Sequence, residues 1–169
     1  MNGGFPGVSP LLLAFAIGLV GGKEAHAAQD LVIDKTFINE VGDLEINFSD
    51  VLPAPTTMRY DANTNAELTY VCADNARRPL AEGRYRQTVR TMVERSVQFS
   101  TGFMGQVRGF VTLNYLRNQE NLLCPPGTSP TLAVANYSEI QLRNQFGVSA
   151  TTRNMSHIFI RLSARRSTP

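Results

Sequence analysis

The stretch Thr88–Phe99, TVRTMVERSVQF, can be read with either of two periods, and the choice between them sets the fold class. At 3.6 residues per turn, Val89, Met92, Val93, Ser96 and Val97 gather on one face of a helix. At a period of two, Tyr85, Val89, Thr91, Val93, Val97 and Phe99 point one way, and Arg84, Arg86, Arg90 and Glu94 point the other. Valine and threonine lose χ1 freedom in a helix and pack well on a pleated surface, so the strand reading is preferred. A helix at 88–99 would instead make the chain α+β.

The flanking sequence repeats the two-residue period. Leu44, Ile46 and Phe48 alternate with Glu45 and Asn47, and Leu68, Tyr70 and Cys72 alternate with Thr69 and Val71. Val107, Val111, Leu113 and Tyr115 share one parity. Leu132, Val134, Ile140 and Leu142 share another, and so do Ile158, Ile160 and Leu162. With Leu31 to Ile38 these segments predict antiparallel sheets, each burying one face. Turn chemistry separates them at Pro53-Ala54-Pro55, Asp61-Ala62-Asn63-Thr64-Asn65, Ser100-Thr101-Gly102, Arg117 to Asn121 and Cys124-Pro125-Pro126-Gly127. Short strands at this spacing predict an all-β antiparallel β-sandwich of immunoglobulin-like type.

The N-terminus has another character. Leu11 to Val20, LLLAFAIGLV, is apolar but too short to span a bilayer, and Ala25-His26-Ala27 has the small-x-small form of a signal-peptidase site. We therefore expect residues 1–27 to be a signal peptide and 28–169 to be one secreted domain, extracellular or in the cell envelope, with no stable membrane span in the mature chain. Of 169 residues, 142 then remain after 27 are removed, enough for one core. The whole chain carries 16 basic and 14 acidic side chains. Removing Lys23 and Glu24 leaves the net charge at +2, which gives no general case for nucleic acid or membrane binding.

Processing also narrows the chemistry. Of two histidines and two cysteines, His26 leaves with the signal, so His157, Cys72 and Cys124 remain. Four Cys or His ligands for a structural zinc cannot be assembled from one chain. In an exported protein an isolated cysteine pair reads as a disulfide, Cys72 to Cys124. Cys72 has the inward parity of its strand, and His157, on the outward parity, has no partner motif of a catalytic base. Asp61, Asn63 and Asn65 mimic the opening of a calcium loop, but Ala66 and Cys72 occupy the positions of its glycine and glutamate. Asp43, Glu45 and Asp50 lie close together, with Asp43 and Glu45 expected on one strand face, yet the chain has no Trp to form a sugar platform. No catalytic residue, metal site or cofactor is expected. Three N-x-Ser sequons, at Asn47, Asn136 and Asn154, matter only where the host glycosylates its secreted proteins.

Five arginines crowd Val71 to Arg90: Arg77, Arg78, Arg84, Arg86 and Arg90. Guanidinium groups projecting from one strand face suit sulfate, phosphate or carboxylate, so these five are the candidate anion-binding residues. A solvated face whose charges discourage edge-to-edge aggregation is the plainer alternative.

Three further segments carry a resemblance. Asn63 to Cys72 (NTNAELTYVC), Gly105 to Leu113 (GQVRGFVTL) and Cys124 to Ala133 (CPPGTSPTLA), followed by Asn136-Tyr137-Ser138, resemble a group of small secreted bacterial proteins, common among actinobacteria, that have no assigned function. The similarity spans roughly Leu44 to Gly147 and departs in the Arg-rich 77–95 stretch and in 114–121. It implies export, β structure and the disulfide, and no activity. The expected role is thus a non-enzymatic extracellular or envelope domain that meets a polyanionic surface polymer or a protein partner. A self-assembling fimbrial-type subunit and a secreted hydrolase are the alternatives.

Overall fold

The computed structural model describes residues 30–52, 56–80, 85–115 and 122–162. The expected signal peptide, Arg84 and the Arg117 to Asn121 and Pro53 to Pro55 turns lie outside them. Among the described residues there is no α-helix and no helix long and apolar enough to cross a membrane. Eight strands form instead: β1 (Val32–Ile38), β2 (Leu44–Val51), β3 (Thr57–Ala73), β4 (Arg86–Ser100), β5 (Gln106–Leu113), β6 (Ser129–Asn144), β7 (Ser149–Thr152) and β8 (Met155–Ile158). Thr88–Phe99 is therefore strand.

Every pairing is antiparallel, in two sheets. One runs β1-β2-β5; the other runs β4-β3-β6, with β7 and β8 sharing the far edge of β6. The chain makes two strands in the first sheet, two in the second, returns once to the first and finishes in the second. This is the Greek-key logic of an immunoglobulin-like sandwich with its fourth strand on the larger sheet.

The inward parities meet as one core. Leu44, Ile46 and Phe48 of β2 face Met58, Tyr60, Ala62 and Leu68 of β3, with Val107, Val111 and Leu113 of β5 beside them. Phe48, Tyr60 and Phe99 pack with ring centroids 4.5 to 6.1 Å apart. Gly109 makes that cluster possible, because a Cβ there would stand 2.7 Å from the Phe99 ring.

Polar ties cross the interior at both ends. The fully buried Asp50 carboxylate accepts from the Tyr60 hydroxyl (3.0 Å), the Asn144 amide (3.1 Å) and the Val51 N–H (2.9 Å), joining β2 to β3 and β6. Burial, with the Asp50 charge beside it, pushes the Tyr60 phenol well above the ordinary tyrosine range. At the opposite end the Tyr137 hydroxyl donates to Gly42 O (2.6 Å) and the Tyr115 hydroxyl to Val41 O (3.2 Å), fixing the β1–β2 turn.

Cys72, wholly buried at the inner face of β3, bonds to Cys124 across a sequence separation of 52, with Cα atoms 5.5 Å apart. The ring so closed contains all of β4 and β5.

Four expectations need correction. Asp61 to Asn65 is not a turn but the middle of the seventeen-residue β3. It stays in the sheet because Asp61, Asn63 and Asn65 face out while Ala62 and Thr64 face in, so polar turn-formers serve as the solvent side of a strand. Val134 does not share the inward parity of Leu132, Ile140 and Leu142, because β6 is bulged twice. Ala133 is an extra residue opposite Thr69/Tyr70, and Glu139 and Ile140 lie opposite Thr64 alone. The inward set is thus Leu132, then Ala135 and Tyr137, then Ile140, Leu142 and Asn144. Ile158 is 60% exposed, and Ile160 turns onto the outer surface of the larger sheet, buried with Val71, Ala73 and Ala133. Phe159 and Ile160 N–H both donate to Ala133 O and hold that cover in place. Asp43, finally, sits before β2, so it does not share a strand face with Glu45.

Candidate functional site

The outer face of the larger sheet presents the even-numbered side chains of β4 and the odd-numbered side chains of β3. Register places Arg86 opposite Val71, Arg90 opposite Glu67, Met92 opposite Asn65 and Glu94 opposite Asn63. Arg86 and Arg90 therefore rise from one face, four residues or about 13 Å apart. The Arg90 Nε lies 2.6 Å from Glu67 Oε2, whereas Arg86 has no acidic partner among the described residues.

Arg77 and Arg78 belong to the loop that follows β3. Asp74 organises it: Oδ1 accepts the N–H groups of Ala76 and Arg78, and Oδ2 accepts Arg78 Nε at 2.7 Å. The Arg78 N–H first of all, with its guanidinium charge, holds the Asp74 carboxyl below the usual carboxylate range. Arg77 occupies the left-handed position at φ 57°, where glycine would cost less. Of the five candidates, then, Arg86 and Arg90 share the sheet face and Arg77 and Arg78 share the loop; Arg84 is outside the described residues. Arg95 has the opposite parity and reaches the smaller sheet, donating to Thr112 O (3.0 Å) and Asn114 Oδ1 (2.9 Å).

What the sequence did not display is the polar row beside these arginines. Arg90 of β4, Glu67 of β3, Asn136 of β6 and Ser156 of β8 lie side by side across four strands. Ser156 Oγ donates to Asn136 Oδ1 at 2.6 Å, so both ends of the row are tied. Two shallow grooves flank Glu67, one floored by Asn65, Arg90 and Ser138, the other by Asn136, Asn154 and Ser156. Glu139 borders this surface in a left-handed backbone conformation, φ 54°, its carboxylate accepting from Asn65 Nδ2 at 2.7 Å. Only the bulge brings Glu139 there, and a bulge leaves no periodic mark on a sequence.

Comparison with known protein families, curated proteins and solved structures finds no match.

The remaining candidates are dispersed. His157 is exposed, its ring 4.4 Å from that of Phe159. Asp43 accepts from Asn114 (2.8 Å) and Glu45 from Asn39 (3.0 Å), so neither carboxylate faces the other. Among the described residues no three His, Cys, Asp or Glu side chains converge as metal ligands. Of the sequons, Asn154 is exposed in the β7–β8 turn, Asn136 belongs to the polar row, and Asn47 is half-buried on the smaller sheet. The surface described by these residues offers fixed hydrogen-bond donors and acceptors with guanidinium groups at one border. That arrangement suits recognition of a hydroxyl- and anion-bearing surface.

Proposed function

We propose that the chain is an exported, non-enzymatic domain of the extracellular space or cell envelope, and that the outer face of its larger sheet binds an anionic surface polymer or protein partner. The row Arg90–Glu67–Asn136–Ser156 carries this reading, because its side chains stand on paired strands and present fixed polar atoms without a core to bury. Arg86 supplies a cation with no acidic partner among the described residues, and Arg90 one whose charge is shared with Glu67. The disulfide supports an oxidising compartment, where such bonds persist.

Retention on an immobilised sulfated polysaccharide tests the binding half. It should fall steeply as salt rises and be lost on replacing Arg84, Arg86 and Arg90 together with Ser, since each guanidinium that pairs with a sulfate releases a counterion. Retention indifferent to salt, or unchanged in the triple variant, sinks the anion-binding reading. Intact mass of unreduced protein recovered from its own host tests the export half. A chain that starts at Ala28 and is lighter by the two hydrogens of one disulfide agrees with export, and a retained N-terminus with free thiols contradicts it.

A further inference from the structure

We propose that β4 pairs edge to edge with β4 of a second copy of this chain, antiparallel about a two-fold axis at Met92, so that two five-stranded sheets join into one. The pairing is independent of which ligand the sheet face takes.

β4 ends its sheet. Its fifteen residues bond to β3 along one edge, and no strand pairs with the other edge among the described residues. The smaller sheet closes over only one end of it, where Gly109 meets Phe99 and Arg95 reaches Thr112. Among the described residues the other half stands open on both sides. Inside, a cleft of about 240 Å³ is bordered by Leu68, Tyr70, Val89, Val93 and Asn114; outside lies the groove of Asn65 and Arg90. Thr91 and Met92 border both. Met92, 65% exposed, is an apolar side chain at the centre of this open edge.

The charge pattern selects one register. Glu94 is the sole acid of β4, against Arg86, Arg90 and Arg95. Centring the pair on Met92 sets Arg90 opposite Glu94 of the partner subunit, and does so twice by symmetry, with Thr91 opposite Val93, Thr88 opposite Ser96 and Met92 on the axis against its own copy. Centring it on Arg90 would also give Glu94 an arginine, the partner's Arg86, but would set Arg90 against Arg90. Opposite charges directly across a strand pair stabilise it and like charges do the reverse. In the Met92 register Arg90 would lie between Glu67 of its own chain and Glu94 of the partner subunit, extending the polar row into the second copy. An isologous contact of this kind uses the same patch twice and closes at two subunits.

Sedimentation equilibrium across a protein concentration series, on the mature chain with its disulfide intact, reads the assembly. The expected result is a concentration-dependent doubling of mass. Arg90→Glu and Glu94→Arg should each lose the dimer, because each sets like charges across the axis. Mixing the two variants should restore it as a heterodimer in which both cross-strand pairs are again opposite. Met92→Cys gives a second readout: paired Cα atoms lie about 4.5–5.5 Å apart, within disulfide reach, so mild oxidation should link two chains. Phe110→Cys, exposed on the smaller sheet, should not. A monomer mass up to the solubility limit, a ladder of higher polymers, no rescue on mixing, or equal cross-linking of the two cysteine variants would each overturn the proposal.

Discussion

Opening the Cys72–Cys124 bond is expected to remove a large part of the stability of this domain. The bond closes a ring of 52 residues that holds β4 and β5, strands of opposite sheets, so the unfolded chain loses much freedom when the ring is intact. Chain-entropy arithmetic for a ring of this length gives about 4 kcal/mol at 25 °C. A domain's net stability is about 5–15 kcal/mol, so the loss is a substantial fraction of the whole. Reduction leaves both sulfurs in place and isolates the connectivity; replacing both cysteines with Ala adds the loss of packing around the fully buried Cys72. With no Trp in the chain, far-UV circular dichroism is the suitable probe of urea unfolding. At a urea dependence of about 1–3 kcal/mol per molar, the midpoint should fall by about 1.3–4 M on reduction, with the double Ala variant lower still. A shift under ~0.5 M with an unchanged slope would refute the view that the ring constrains the unfolded chain.

Other consequences follow from single contacts. Tyr60→Phe removes one of three hydrogen bonds to the buried Asp50 carboxylate and should cost about 1–3 kcal/mol at neutral pH in urea unfolding. Because the folded Tyr60 phenol titrates above its unfolded value, its contribution is whole below about pH 10 and is lost as pH rises further. The Phe variant should therefore show a shallower alkaline decline, and an equal decline in both proteins would contradict the assignment. Gly105→Ala should cost about 2–4 kcal/mol, since its Cβ would lie 2.0 Å from the Leu52 carbonyl oxygen at φ +72°, where backbone strain adds to overpacking; a wild-type melting temperature would contradict it. Asp74 works in the opposite pH direction from Tyr60: its lowered carboxyl supports the loop above about pH 4 and stops doing so as pH falls through the folded value. Protection of the Ala76 and Arg78 amides, measured against the intrinsic exchange rate at each pH, should fall on acidification, and Asp74→Ala should already show that loss at neutral pH.

How far the sequence displayed all this depended on how regular each strand is. Thr88–Phe99 is legible because Val89, Val93, Val97 and Phe99 keep one parity for the whole length of an unbulged strand. β6 is not, because its two bulges flip the inward set twice, so Val134 reads as inward and Tyr137 as outward, whereas Tyr137 faces the core and Val134 packs half-buried on the outer side with Ala133 and Ile160. Asp61 to Asn65 misleads for a different reason: turn-forming residues are also acceptable on the solvent side of a strand held on both edges, as β3 is by β4 and β6. Cys72 was readable from its own strand's parity. The arginines could be counted but not paired, since Glu67 lies 23 residues from Arg90 in sequence and only the β3–β4 register brings them to 2.6 Å. The polar row depends on three such registers at once, and no local pattern encodes it.

The most direct test of the account is to follow the arginine Nε–H resonances of the intact protein by NMR while a sulfated oligosaccharide is added. Arg86 and Arg90 should shift first and together, in a salt-sensitive manner, while Arg95, held by Thr112 and Asn114, stays in place. Shifts confined to Arg108 and other groups of the smaller sheet, or no shift at any arginine, would contradict the proposal that the outer face of the larger sheet is the binding surface.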